Sequence, residues 1–251
     1  MELQDARVLV VGASSGIGRA VALQAAAGGA RVVLAARRAD KLAEAAAEAG
    51  DGASTVVCDV RQPEQCERVV RDAVGKLGGL DVAVYATAVD PLVRLVDTDA
   101  ERWRTVYETN VFGASLVTRA ALAPLTESGG RMVFISASSV GRPLPGMGAY
   151  ETSKAALDEL VRAWRGEHPE IAFCNVAVGN TLGTEVYQSW DPVLLGELSP
   201  VWEARGYVHD NGPGAMSVGD CATAVLAAIT SPIDLRYVLA NPAPGSTMDV
   251  A

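Results

Sequence analysis

The sequence predicts an α/β fold: a doubly wound parallel sheet of about seven strands with helices on both faces. Short β-branched runs alternate with longer Ala-rich stretches of helical period along the chain. Strands alternating with helices pair in parallel through crossovers, which leaves helices on both sides of the sheet. At 251 residues, 49% of them hydrophobic and 20% charged, the chain suits one domain over 1–251 whose core needs no covalent staples.

The elements follow in order. A strand is expected from Arg7 to Val11, then a Gly-rich turn and a helix from about Ile17 to Ala27. The pattern repeats with a strand from Arg31 to Ala35, a helix near Asp40 to Ala49 and a strand from Ser54 to Cys58. Pro63 opens the next helix, which runs to Leu77, and Leu80 to Tyr85 forms the fourth strand. Thr98-Asp99-Ala100-Glu101 reads as a capping box, so a long helix is expected from Thr98 to about Leu125. A strand from Arg131 to Ile135, a helix from about Ala149 to Arg165, a strand from Ile171 to Val176, a helix opened by Ser217 and a strand from Leu235 to Ala240 complete the series. The stretch 180–214 breaks the rhythm. It reads as loop with short helical pieces, and its length and aromatic content suggest a lid over a substrate.

Composition narrows the function. The 30 acidic and 21 basic residues leave a net charge of −9, which opposes binding to a nucleic-acid backbone and favours a small-molecule partner. The N-terminal residues lack a basic segment followed by an apolar one, and no apolar run is long enough to span a bilayer. Cys58, Cys66, Cys174 and Cys221 show no CxxC spacing, and His168 and His209 stand apart from other ligand types, so neither disulfide nor metal is expected. A reducing, cytoplasmic setting follows from that cysteine usage.

Gly12-Ala13-Ser14-Ser15-Gly16-Ile17-Gly18 lies between the first strand and the first helix. Glycines there let the backbone approach a pyrophosphate, and the helix N-terminus offers free N–H groups, which together suit a dinucleotide. After the second strand stands Arg37, followed by Arg38, where an acidic residue would otherwise bind an adenosine ribose. Arginine suits a 2′-phosphate, so NADP(H) is expected in preference to NAD(H). Asp59 could accept from an adenine amino group or initiate a turn. Tyr150 and Lys154 stand at i and i+4 on one helix. An ammonium beside the phenol would lower its pKa toward working pH and make it a useful proton donor to a carbonyl. Ser138, at the end of the preceding strand, could hold the carbonyl oxygen.

Taken in order, Gly12/Gly16/Gly18, Asp59-Val60, Asn110, Ser138, Tyr150 and Lys154 resemble the short-chain dehydrogenase/reductase family along almost the whole chain. The resemblance implies a seven-stranded Rossmann-like sheet, a nicotinamide cofactor and a catalytic set of Asn110, Ser138, Tyr150 and Lys154. It gives Tyr150 the acid–base role and has Lys154 lower its pKa while binding the nicotinamide ribose. Asn110 would help hold a water that relays protons. The positions expected to touch the cofactor are Gly12, Ser14, Ser15, Gly16, Ile17, Gly18, Arg37, Asp59, Val60, Ala86, Tyr150, Lys154, Gly179 and Thr181. A homodimer or homotetramer, paired through the long helices, is also implied. The chain departs from the family in carrying Tyr85-Ala86-Thr87-Ala88 where Asn-Asn-Ala-Gly is usual and Val11 before the first glycine. A compensated repacking with Tyr85 filling space is expected there. The alternative is a catalytically weak dinucleotide sensor or scaffold of the same fold.

Overall fold

In the computed structural model, which describes residues 1–206 and 214–242, the expected alternation is present. The strands are β1 (Arg7–Val11), β2 (Arg31–Ala36), β3 (Ala53–Val57), β4 (Val82–Tyr85), β5 (Arg131–Ala137), β6 (Ala172–Val178), β7 (Thr181–Leu182), β8 (Met216–Ser217) and β9 (Tyr237–Ala240). The helices are α1 (Gly16–Ala27), α2 (Ala39–Ala49), α3 (Pro63–Leu77), α4 (Ala100–Tyr107), α5 (Gly113–Ser128), α6 (Gly148–Glu167), α7 (Pro192–Ala204) and α8 (Val218–Thr230). Seven strands form one parallel sheet in the order β3-β2-β1-β4-β5-β6-β9.

Strand periodicity divides the core between the two faces. Leu9 and Val11 of β1 pack with Val69 of α3, Val117 of α5 and Leu157 of α6. Their neighbours Val8 and Val10 face the other way, toward Val21 of α1, Leu42 of α2 and Val225 of α8. Both faces are covered, which is why the strands read as continuous apolar runs. Among the described residues no helix is long and apolar enough to cross a membrane.

Three expectations change. The long helix starts later, because Asp99 and not Thr98 is the cap: its carboxylate accepts from the Arg102 N–H at 2.7 Å, while the Thr98 hydroxyl turns back to the Arg94 carbonyl. A π-turn at Glu108–Phe112 also interrupts it, joining α4 to α5. The stretch 180–214 is more ordered than a loop. Thr181 and Leu182 pair with Met216 and Ser217, and Asp191 with Pro192 starts the 13-residue helix α7, its carboxylate accepting from the Val193 N–H. Asp at the cap and Pro at the first helical position is an ordinary helix start. The remainder of that stretch, 207–213, lies outside the described residues.

Tyr85 does fill space, being 1% exposed, and it also bonds. Its hydroxyl donates to the Thr109 carbonyl at 2.5 Å. The π-turn shifts carbonyls out of the ordinary helical ladder, so such a carbonyl needs a donor. Gly113 leaves the room: a Cβ there would stand 2.6 Å from the Tyr85 hydroxyl and 2.9 Å from Val60. Tyr85→Phe should therefore lower stability by about 1–3 kcal/mol, the cost of stranding a buried acceptor. Denaturant unfolding measures it, and an unchanged midpoint would mean that the bond does not hold the π-turn.

Candidate active site

Strand order reverses between β1 and β4, so the loops leaving their C-terminal ends diverge and open a crevice, the usual ligand position in such sheets. A cleft of about 770 Å³ occupies it, within the range of ligand pockets. Its wall includes Gly12, Ser14, Ser15, Gly16 and Ile17 from the first loop, and Arg37, Asp59, Val60 and Ala86 from the next three strand ends. Tyr150 and Lys154 of α6 and Gly179 and Thr181 beyond β6 complete it. Gly18 lies beneath the wall. A Cβ on it would stand 2.3 Å from the Gly12 carbonyl oxygen, so close packing demands glycine. Gly12, at φ +99°, would press a Cβ to 2.7 Å from the Ala86 carbonyl carbon. The Ser15 side chain does not cap α1, which leaves its first-turn N–H groups for an anion. A glycine cradle, an open helix N-terminus and nearby guanidinium groups fit a phosphorylated dinucleotide.

At the far end of the cleft Arg37 is exposed and Arg38 half-buried. Arg38 donates to the Ser14 and Ser15 hydroxyls at 3.0 and 2.8 Å and pairs with Glu185 at 2.6 Å. Lys41 reaches the same carboxylate at 2.5 Å, and these cations hold it down to about 2. Sequence reasoning placed the anion site at Arg37 and missed Arg38, Lys41 and Glu185 as a group. Adjacent arginines were the visible signal; Glu185 is 144 residues from Lys41 and carried none. Asp59 faces the cleft, but its carboxylate accepts from the Arg61 backbone N–H and guanidinium, which pull it below the usual carboxylate range. Of its two expected roles, the turn has the geometric support.

The other end holds the acid–base candidates. Lys154 is 3% exposed, donates to the Ile135 carbonyl at 2.7 Å, and lies over the Tyr150 ring, 5.6 Å from its centroid. Burial lowers Lys154 to about 8. The expected lowering of Tyr150 is reversed. Burial dominates and the Asp90 and Glu151 carboxyls add to it, so the phenol stands well above its ordinary value. Asn110 is fully buried in the π-turn and does not line the cleft. It accepts from the Val89 N–H at 2.8 Å and donates to the Val89 carbonyl and the Ser153 hydroxyl at 3.0 and 2.9 Å. Both of its donors are used, so a water could only donate to its oxygen. Ser138 sits half-buried beyond β5 with its N–H on the Val178 carbonyl and is not part of the cleft wall. Ser136 is, its hydroxyl donating to Asp158 at 2.6 Å. Side chains alternate across a strand, but β5 ends at Ala137, and the turn that follows no longer keeps that alternation.

The sheet order, the glycine-lined crevice at its reversal and the Tyr150–Lys154 pair define a Rossmann-like α/β protein. The sequence pattern described as "short chain dehydrogenase" matches residues 6–193, and the chain belongs to that family. Among its relatives is a "Short-chain type dehydrogenase/reductase" of Picea abies, 36% identical over 223 residues that make up 82% of each chain. Another is the "11-beta-hydroxysteroid dehydrogenase 1A" of Arabidopsis thaliana, 39% identical over 165 residues, or 64% of this chain. The matched region spans about half of that relative, 47% of its length. A short-chain dehydrogenase from Streptomyces avermitilis superposes with a TM-score of 0.80 at 28% identity, covering 94% of this chain and 88% of the other. An alcohol dehydrogenase from the archaeon Thermococcus sibiricus, complexed with 5-hydroxy-NADP, also gives 0.80 over 95% and 97%, and at 24% identity it shows the fold.

The two acids near Tyr150 predict a pH effect. Burial pushes Asp90 up to about 8 and Glu151 to about 7, from ordinary values of 3.8 and 4.5. On raising pH the unfolded chain loses these protons first, so stability falls between about pH 4 and 8, most of the window lying above about pH 5. Lys154 acts above that window and in the opposite sense, since the fold releases its proton at about 8 and the unfolded chain at 10.5. The melting midpoint of the wild type should drop across pH 5 to 8 and that of Asp90→Asn should drop less. Parallel curves would show that Asp90 ionises freely.

Proposed function

We propose that this chain is an NADP(H)-dependent oxidoreductase that moves a hydride between the nicotinamide and a carbonyl or secondary alcohol carbon of a small substrate. The observation that carries the proposal is that the glycine cradle, Arg37 and Arg38 open into the same cleft as Tyr150 and Lys154. A nicotinamide held there supplies or accepts the hydride. In the reducing direction the Tyr150 hydroxyl gives its proton to the carbonyl oxygen as the carbon is reduced, which leaves a phenolate. Lys154, at about 8, can stabilise that phenolate and return a proton near neutral pH. Asn110 acts through Val89, whose backbone it clamps to α6. The substrate-orienting hydroxyl falls to Ser138 by family resemblance, with Ser136 the serine on the cleft wall itself. The stretch after β7 would cover the substrate: Leu198 and Trp202 of α7 pack with Leu92 and Met147, and Tyr150 lies against that cluster. A homodimer or homotetramer is the accompanying assembly, which sedimentation at micromolar concentration reads directly.

One observation favours a second reading, a weakly catalytic dinucleotide sensor: the phenol is held well above its ordinary value. Turnover separates the two. Tyr150→Phe should reduce NADPH-dependent carbonyl reduction by at least about a hundredfold and leave cofactor binding in place. Wild-type turnover in that variant would end the proposal. Cofactor choice has its own test, by fluorescence titration. Ala36→Asp combined with Arg37→Ala should shift preference toward NADH by at least about tenfold, since charge-assisted bonds to a 2′-phosphate are worth on the order of 1.5–3 kcal/mol. Equal wild-type affinity for both cofactors would remove the assignment to NADP(H).

A further inference from the structure

A carboxyl that the proposed reaction does not use lies at the Tyr150 end of the cleft. Asp90 lines the wall with Val89 and Pro91, just past the loop where this chain departs from its family. Its backbone is fixed from two sides. Asn110 takes both polar groups of Val89, and the Trp190 indole N–H donates to the Asp90 carbonyl at 2.8 Å. The side chain is not so satisfied. Oδ1 is shut away from solvent with no hydrogen-bond partner, while the residue as a whole is half-buried and meets the cleft. The charged and titratable groups that act on Asp90, or on which it acts, are Glu151 and Lys154 of α6, the Tyr150 phenol, and Tyr187 after β7.

An unfilled acceptor on a buried carboxyl costs stability, and folds keep such costs mainly where a site requires them. The segment that carries Asp90 adjoins an apolar, aromatic cluster. Leu92, Met147, Leu198 and Trp202 pack together with Tyr150 and Trp190, and Tyr187 meets Trp190 edge-on at 4.7 Å. A few polar groups set at the edge of an apolar cluster are how small-molecule sites orient and select a ligand, and Asp90 is the one at this end of the cleft that the proposed reaction leaves unused. Burial raises this carboxyl to about 8, so a partner that donates to it, or a cation that ionises it, recovers a cost already present in the fold.

We propose that Asp90 anchors the substrate by accepting a hydrogen bond from a hydroxyl or protonated amine on the carbon next to the reacting one. Resting on the oxidoreductase reading above, it names the substrate class: vicinal diols or amino alcohols and the matching hydroxy or amino ketones, in preference to simple alcohols and ketones. A site built to bond such a group rejects an analogue without it, because the buried acceptor is then left unpaired.

Binding tests this independently of turnover. Intrinsic tryptophan fluorescence of the full chain, with and without NADP+, is titrated with a secondary butyl alcohol, the matching vicinal diol, the matching vicinal amino alcohol and the matching diketone. Wild type should bind the diol or the amino alcohol at least about tenfold more tightly than the simple alcohol, and the stronger of the two identifies the donor. Asp90→Ala should erase most of that ratio for either ligand, Asp90→Asn should erase it for the amino alcohol, whose charge an amide cannot neutralise, and Asp90→Asn should melt no lower than wild type at pH 8. Equal wild-type affinities, a ratio that survives in both variants, or preference for the diketone, which has no donor, would each overturn the anchor. So would a lower melting point in Asp90→Asn, which would make the carboxyl structural. If discrimination is present and NADPH oxidation fails with every matching carbonyl, the anchor stands and the proposed reaction falls.

Discussion

The hydrogen bond from Tyr85 to the Thr109 carbonyl joins the central sheet to the Tyr150 end of the cleft. It links the last residue of β4 to a π-turn, and the π-turn carries Asn110. Asn110 in turn holds the Val89 backbone on one side and Ser153 of α6 on the other. Tyr150 and Lys154 belong to that helix, while Asp90 follows directly on Val89. One buried bond thus fixes the spacing between the loop after β4 and the acid–base helix. The departure at Tyr85 to Ala88 fits this arrangement, because a large phenol replaces small amides and supplies the donor that the π-turn needs.

Charge is divided along the cleft. At one end Arg38 and Lys41 gather around Glu185 and hold its carboxylate well below its usual range. At the Tyr150 end Asp90, Glu151 and Lys154 are crowded into a buried setting that disfavours every charge, so the acids rise and the lysine falls toward the same range. Groups with closely spaced proton affinities can exchange protons at little cost near neutral pH, which suits acid–base work. Tyr150 stays protonated in this setting, as a donor to a reducible carbonyl must.

The apolar clusters show how the sheet serves the site. Two of them, one on each face, hold the strands rigid. The third, with Leu92, Met147, Leu198 and Trp202, lies outside the sheet and is built by the segment that follows β7. Trp202 donates to the Pro145 carbonyl and Trp190 to that of Asp90, so the cover is joined to both loops that flank Tyr150. The segment after β7 is therefore packed but peripheral, while the glycine loop follows directly on the central strand β1.

Periodicity and glycine spacing were enough to establish the parallel sheet, the crevice loop and the pairing of Tyr150 with Lys154, because each depends on residues close in sequence. The seven expected strands all appear, displaced by no more than two residues at most ends. The start of α7 is present in Asp191-Pro192, but the same pair opens turns as well as helices, so the sequence alone leaves that stretch a loop with short helical pieces. What the tertiary structure alone decided were contacts between distant segments: Glu185 on Arg38 and Lys41, Asn110 on Val89, and Asp90 against Glu151 and Lys154. It also reversed the expected direction for Tyr150. Local spacing puts an ammonium on the same helix face, but burial raises the phenol, and the Asp90 carboxyl that adds to it comes from a segment distant in sequence.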